Sequence, residues 1–507
     1  MSTLNPIVES LAGPIVGRRI GGLSVFLGIP YATPPVGPLR FAAPVAAAAW
    51  TDPLDCVAFS AVAPQASSTM EMLLGGDKDP QSEDCLYLNV WTPDSCDPST
   101  TGSRPVMVWI HGGAFTIGSA RTPWYNGQRL SERGDAVVVT INYRLGVLGF
   151  LHIDEVPGSG NNGIRDQILA LEWVQANIAR FGGDASNVTI FGESAGAMSV
   201  GTLMAAGKPG QLFHKAILQS GGGHHVRSAD FASEVTNAVL EGLGVSGGDV
   251  AGGDVAVGDL EKLRSLDVAA ILAVQSDVES KMMAGDGLPF APVVDGIVVH
   301  EMPITSIAAG SARAVAVMAG TTNEEMKLFL VAMPKAWTEP DVTLTKRFGA
   351  DLVAAYVAMN PDRAPIDRGV AMVSDFTFVI PAVRLLEAQN SMGAPAAYRY
   401  RFDYASTAFG GLLGSCHALE LPFVFDNMDS AGARTFAGEA DGQDELAGAM
   451  AQAWVNFART GNPNDDGEAQ WAPYNDESLA TMVFNNSGSA QAFNIDGAER
   501  AAWQGVR

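Results

Sequence analysis

The sequence predicts an α/β fold built on a largely parallel sheet, and three observations carry that prediction. Short, continuously apolar, β-branched runs recur along the chain, glycine-bearing loops follow them, and helical patterns alternate with them. Val106–Ile110 and Ala136–Ile141 lack the in-and-out alternation of half-exposed strands, as befits strands buried on both faces of a sheet. Between Ile164 and Phe181 the spacing changes: Ile168, Leu171, Val174 and Ile178 recur at helical intervals. Asn187–Phe191 is a third short strand and runs directly into Gly192-Glu193-Ser194-Ala195-Gly196. The small residues from Ala195 to Ala206 suit a helix lying close against a sheet, and Ala216–Gln219 is a fourth strand. After Ser220 the pattern loosens. The Gly/Asp/Val-rich stretch from Gly242 to Gly258 reads as a connection, and Leu260 to Met283 reads as helix. A fifth strand, Ala314–Ala319, precedes a helical insertion over about Met333 to Met392. A sixth, Ala396 to Tyr404, leads to a glycine-rich loop holding His417.

Composition narrows the class. The 47% apolar and 17% charged shares are those of a globular protein, and no internal repeat or linker divides the chain. The expectation is one domain over residues 1–507, with helical insertions at approximately 225–312 and 330–395. With 31 Lys and Arg against 55 Asp and Glu, the net charge of −24 argues against nucleic acid or an anionic membrane as partner. The first residues, Met1-Ser2-Thr3-Leu4-Asn5-Pro6, have neither the basic nor the apolar segment of a signal peptide. The apolar runs are also far shorter than the ~20 residues of a membrane span. Four cysteines without a CxxC pair form no disulfide framework, so a cytoplasmic location is expected, for a monomer or homodimer that uses no cofactor and no metal.

The chemistry is carried by spacing and context. The pattern GxSxG occurs twice, at Gly192–Gly196 and at Gly244-Val245-Ser246-Gly247-Gly248, in a chain with 56 glycines. Only the first follows a strand and opens a helix, the setting in which a nucleophilic serine projects from a strained turn. Ser246 reads as a loop serine. A serine hydroxyl needs a neighbouring base, and that base an orienting carboxylate, in the chain order Ser, acid, His. Of the seven histidines, His111 and His152 precede Ser194. His214, His224, His225 and His300 would confine the acid to segments without a strand-end carboxylate. His417 remains. For the acid, the loop Gly320-Thr321-Thr322-Asn323-Glu324-Glu325 offers two adjacent glutamates, and position alone does not choose between them. Asp295 and Asp403 are weaker candidates. The loop His111-Gly112-Gly113-Ala114-Phe115 after the first strand is of the type whose amides, with the amide following the nucleophile, hold a tetrahedral oxyanion. Glycine at 112 and 113 lets the main chain approach the substrate oxygen. Together these features predict the α/β-hydrolase fold and acyl transfer through an acyl-enzyme.

Several ordered segments resemble the type B carboxylesterases, the carboxylesterase and cholinesterase family, and in particular its bacterial, para-nitrobenzyl-esterase-like branch. They include Phe26–Ala32, Pro34–Gly37 with Leu39-Arg40-Phe41, Ser82–Val90, Asn142–Gly146, Phe191–Gly196, Leu218–Gly221, Cys416-His417 with Glu420–Phe423, and Trp454–Pro463. The resemblance implies that Glu325 is the acid, with Glu324 in place of an aspartate, and that Gly113, Ala114 and Ala195 supply the oxyanion amides. It makes Ser220 a partner of Glu325, and Glu193 a carboxylate beside the pocket. Two departures stand out. Ala63 occupies the place of a cysteine that bridges to the Cys85 position in animal members. The loop from Met70 to Gly76 offers Met70, Met72, Leu73 and Leu74, with no aromatic for a quaternary ammonium. Neutral, apolar esters are therefore the expected substrates, with Phe290, Phe329, Met70 and Leu73 as pocket candidates; Phe290 and Phe329 read almost as well as ordinary core residues. Three rivals are an amidase or carbamate hydrolase using the same residues, a non-catalytic binding member of the family, and a lipase acting at an interface, for which the sequence offers no large apolar lid. The second is disfavoured because serine, acid and histidine are all present.

Overall fold

The structure is a computed structural model and describes residues 5–68, 79–94, 102–245, 257–332, 340–464 and 471–506. Its frame is an eleven-stranded sheet. In chain order the strands are β1 (Arg18–Ile20), β2 (Leu23–Pro30), β3 (Tyr87–Pro93), β4 (Arg104–Ile110), β5 (Val137–Ile141), β6 (Gly183–Glu193), β7 (Lys215–Gln219), β8 (Ala316–Thr322), β9 (Tyr398–Phe402), β10 (Ala480–Asn485) and β11 (Gly488–Phe493). Their order across the sheet is β11-β10-β9-β8-β7-β6-β4-β5-β3-β2-β1. From β5 to β10 all neighbours are parallel, and antiparallel strands flank that block at both ends.

The β-branched runs form the centre because both of their faces are covered. Val106, Val108 and Ile110 of β4 join one core cluster, whereas Met107 and Trp109 join the cluster on the opposite face. Against the first face lie α1 (Asn162–Asn177) and α2 (Ala195–Ala206). On the other face, α3 (Gln443–Thr460) brings Trp454 and Phe457 into the second cluster. Register aligns the strand ends. Ile110 pairs with Gly192, Gly192 with Leu218, and Leu218 with Ala319, so the carboxyl ends of β4, β6, β7 and β8 lie level.

Several expected boundaries change. The helix over Ile164–Phe181 gives way to a 3-10 turn at Ile178–Phe181, and β6 begins at Gly183 rather than Asn187. Leu260 to Met283 is two helices, Val257–Ser265 and Val268–Asp286. Asp267 caps the second by accepting from the Ala269 amide at 2.8 Å. The strands β1, β2, β3, β10 and β11 are not among the six that the sequence predicts. Ser246, Met70, Leu73, Cys96 and the start of the insertion at Met333 lie outside the described residues. The helical run Pro365–Ser391 is long and apolar enough to cross a membrane by length and composition, but 78% of its most apolar window is buried inside the protein.

Candidate active site

Ser194 sits where β6 turns into α2, with φ 55° and ψ −124°. For a residue with a side chain this backbone conformation is costly, of order 1–3 kcal/mol, and persists only where the surroundings impose it. Here the surroundings are two glycines. A Cβ on Gly196 would stand 2.0 Å from the Ile110 carbonyl, and one on Gly192 would stand 2.6 Å from the Gly196 backbone. The Ser194 amide donates to Gln219 O at 2.9 Å, pinning the turn to β7. Ser194 is the one residue of Phe191–Gly201 that is not fully buried.

The neighbouring loop approaches the same point. A Cβ on Gly112 would meet the Glu193 carbonyl at 2.7 Å and the Ser194 Cβ at 3.2 Å, so only glycine fits. Gly113, Ala114 and Phe115 all have positive φ, which turns the chain back on itself. Among the described residues no acceptor takes the amides of Gly113 and Ala114, and the Ala195 amide, in the first turn of α2, has no intrahelical partner.

The imidazole of His417 is gripped from two sides. Its Nδ1 lies 2.5 Å from Glu325 Oε2, in the loop after β8. Glu325 Oε1 accepts from Ser220 Oγ at 2.6 Å and from the Thr322 amide at 2.7 Å, which fixes the carboxylate plane. Nε2 lies 3.0 Å from Glu193 Oε1, and no hydrogen bond joins it to the Ser194 hydroxyl. Catalytic contacts of this kind are commonly long without substrate. Burial by itself would lower the pKa of His417, but the negative charges of Glu193 and Glu325 outweigh it and hold the imidazole well above its ordinary value. A further carboxyl, Glu420, lies in the same buried region. Burial first, then Glu193 and Glu325, push it up to about 8.

The adjacent glutamates are now distinct. Glu324 faces outward to Lys327 Nζ at 2.7 Å and accepts from the Ser415 amide at 3.1 Å, while Glu325 is fully buried on His417. The weaker acid candidates are engaged elsewhere: Asp295 caps the Ile297 and Val298 amides, and Asp403 pairs with Arg401 at 2.6 Å.

With this geometry in place, similarity to known proteins is decisive. The model of the carboxylesterase family matches residues 4–503. This chain belongs to the carboxylesterase family. It is 37% identical over 492 residues to the para-nitrobenzyl esterase of Bacillus subtilis, with 95% of each chain covered. It is 34% identical to the phenmedipham hydrolase of Pseudarthrobacter oxydans, over 97% of each. A crystal structure of a Geobacillus stearothermophilus carboxylesterase superposes with a TM-score of 0.85 at 37% identity, covering 98% of this chain and 100% of that one. The activity of this carboxylesterase is accordingly carboxylic ester hydrolysis, and its fold is the α/β-hydrolase fold.

Around the imidazole of this carboxylesterase stand two phenylalanines. Phe329 lies 5.3 Å from the His417 ring, centre to centre, and Phe378 lies 4.8 Å away, tilted by 32°. The sequence singles out nothing at Phe378, and Glu420 stands there only within the Glu420–Phe423 segment, with no role of its own. Glu420 follows His417 by one turn, which is a usable signal; nothing local marks Phe378. Phe290 is fully buried in the core instead. Cys56, Cys85 and Cys416 are free, buried thiols.

Proposed function

We propose that Ser194 is the nucleophile of this carboxylesterase, His417 its general base and Glu325 the orienting acid, acting on small neutral, apolar esters. The observation that carries the reading is the Glu325–His417–Glu193 chain ending beside the strained turn of Ser194, level with the loop at Gly112–Ala114. Ser194 Oγ attacks the ester carbonyl while His417 Nε2 takes its proton. The oxyanion accepts hydrogen bonds from the amides of Gly113, Ala114 and Ala195. Collapse expels the alcohol, which takes the proton back from the imidazolium. Water then attacks the acyl-enzyme, giving its proton to His417, and the carboxylic acid departs as Ser194 is re-protonated. Phe329 and Phe378 against the imidazole support an apolar substrate, because they bring hydrocarbon surface to the reacting centre. Free, buried thiols support a cytoplasmic home.

Labelling with an organophosphate followed by peptide mapping tests the assignment. The adduct is expected on Ser194, and Ser194→Ala should lose about 10⁶-fold in kcat on para-nitrophenyl acetate. An adduct elsewhere, or wild-type turnover by Ser194→Ala, defeats it. Matched ester, carbamate and anilide substrates test the bond preference, and a carbamate or anilide cleaved faster than its ester would replace the ester reading.

A further inference from the structure

The helical run behind the site contains an irregularity with a clear physical cause. Two α-helices, Pro365–Ser374 and Ile380–Ser391, are joined by a π-turn at Asp375–Val379, closed by the Ile380 amide donating to the Asp375 carbonyl. A π-turn adds one residue to the helix, and each residue rotates the side-chain register by about 100°. Within the turn Phe376 and Phe378, two residues apart, face different partners. Phe376 lies 5.7 Å from Trp503, ring centre to centre and tilted by 35°, while Phe378 reaches His417. Pro381 has no amide hydrogen to give to the carbonyl four residues back, that of Thr377. That oxygen instead lies 2.7 Å from His225 Nε2. Gly222 makes the approach possible, since a Cβ there would stand 2.8 Å from the Pro381 carbonyl.

The other end of the π-turn is tied down as well. Ser374 Oγ accepts from the Met326 amide at 3.1 Å, one residue from Glu325. Trp503 Nε1 donates to Tyr356 OH at 2.6 Å, and Tyr356 OH donates in turn to Asp375 Oδ2. Tyr356 and Trp503 are almost fully buried in a separate apolar cluster with Leu344, Leu352 and Ile380, remote in sequence from Ser194 and His417.

We propose that Tyr356 and Trp503 are positioning residues for catalysis: acting through Asp375 and the π-turn, they hold Phe378 against the His417 imidazole. Glu325 and Glu193 hold the two ring nitrogens of His417, but contacts at the ring edge leave its plane free to rock about the line joining them. Packing by Phe378 restricts that motion and keeps water from the ring. The inference rests on His417 as the base. A misplacement of about 1 Å in such a group costs on the order of a hundredfold in rate.

The test uses Tyr356→Phe, which keeps the buried ring and removes only the hydroxyl that links Trp503 to Asp375. On para-nitrophenyl acetate kcat is expected to fall ten- to a hundredfold, on the order of the misplacement cost, with KM within about a factor of two. The acidic limb of kcat/KM should move to lower pH. Glu193, Glu325 and, beyond them, Glu420 face the imidazole, and their charges outweigh its burial, so water admitted to the ring screens the attraction that holds its pKa up. Asp375→Ala should reproduce the defect. Asp375→Asn should restore most of kcat, because burial already pushes this carboxyl up to about 7 and the amide keeps an oxygen for Tyr356. Unchanged kcat and pH limb in both Tyr356→Phe and Asp375→Ala would overturn the inference. So would a loss that merely tracks the folded fraction in a thermal melt. His417→Gln in the same assay separates the two readings: if it retains activity, the base assignment itself fails.

Discussion

Two buried ionic clusters flank the sheet of this protein, and they are built on opposite principles. In one, Arg144 meets Asp166 through paired bonds of 2.8 and 2.7 Å, the Asp166 carboxylate also takes the Arg144 amide, and a third guanidinium nitrogen donates to Ala42 O. Charge and hydrogen bonds both close. In the other, the single imidazole of His417 is shared by Glu193 and Glu325 with Glu420 close behind, and among the described residues Glu420 Oε2 has no hydrogen-bond partner. A cluster that serves only stability has no reason to leave a carboxylate oxygen open, because an unsatisfied buried polar group costs about 1–3 kcal/mol. On the proposed mechanism, the open cluster is where charge changes during the reaction, and the closed one keeps its charges fixed.

Substitutions can break this contrast. The largest effect belongs to Glu325→Gln, expected to lower kcat by about 10⁴-fold with little change in melting temperature, whereas Glu324→Gln should stay near wild type. Steady-state kinetics on both variants decide the matter, and the reverse outcome would reassign the acid. Next in size is the closed cluster. Arg144→Met should cost about 3–5 kcal/mol in denaturant unfolding by stranding Asp166, and adding Asp166→Leu should recover much of that loss. If the double variant is no better than the single one, the pair contributes more than its own neutralisation.

A smaller, pH-dependent effect is expected at Glu193. This carboxylate helps hold the His417 pKa up, and the base must be neutral to act. Glu193→Gln should therefore shift the acidic limb of the kcat/KM profile to lower pH, and an unmoved limb would remove Glu193 from the account. The smallest effect concerns Glu420. Its carboxyl is raised from 4.5 to about 8, so between those values the folded chain holds a proton that the unfolded chain has released, and stability falls as pH rises. Glu420→Gln lacks that penalty. Its melting temperature should equal wild type near pH 4 and exceed it increasingly up to pH 8; a constant gap would show that Glu420 does not titrate in this way.

The sequence made the parallel core, the serine turn and the oxyanion loop legible because each is a local pattern. Val106–Ile110 must be buried on both faces, and Gly192 and Gly196 must lack side chains whatever the rest of the chain does. His417 was reached differently, by chain order among seven histidines rather than by a local pattern. The residues alone did not choose between Glu324 and Glu325. Only family resemblance or the fold separates them, since the direction of each side chain is set by β7, β9 and the loop at Ser415. The outer strands escaped notice because polar residues, glycine or proline interrupt their apolar runs, as Ser24, Gly28 and Pro30 do in β2. Phe378, His225, Tyr356 and Trp503 escaped because their significance lies in contacts between segments far apart in sequence. Pro381 inside a helical pattern was the only local hint of the π-turn. The sequence by itself thus determined which groups are present and which backbone turns only glycine permits. Tertiary structure decided which glutamate meets the imidazole and what holds that ring in place, because those are questions of proximity, and proximity is created only when the sheet closes.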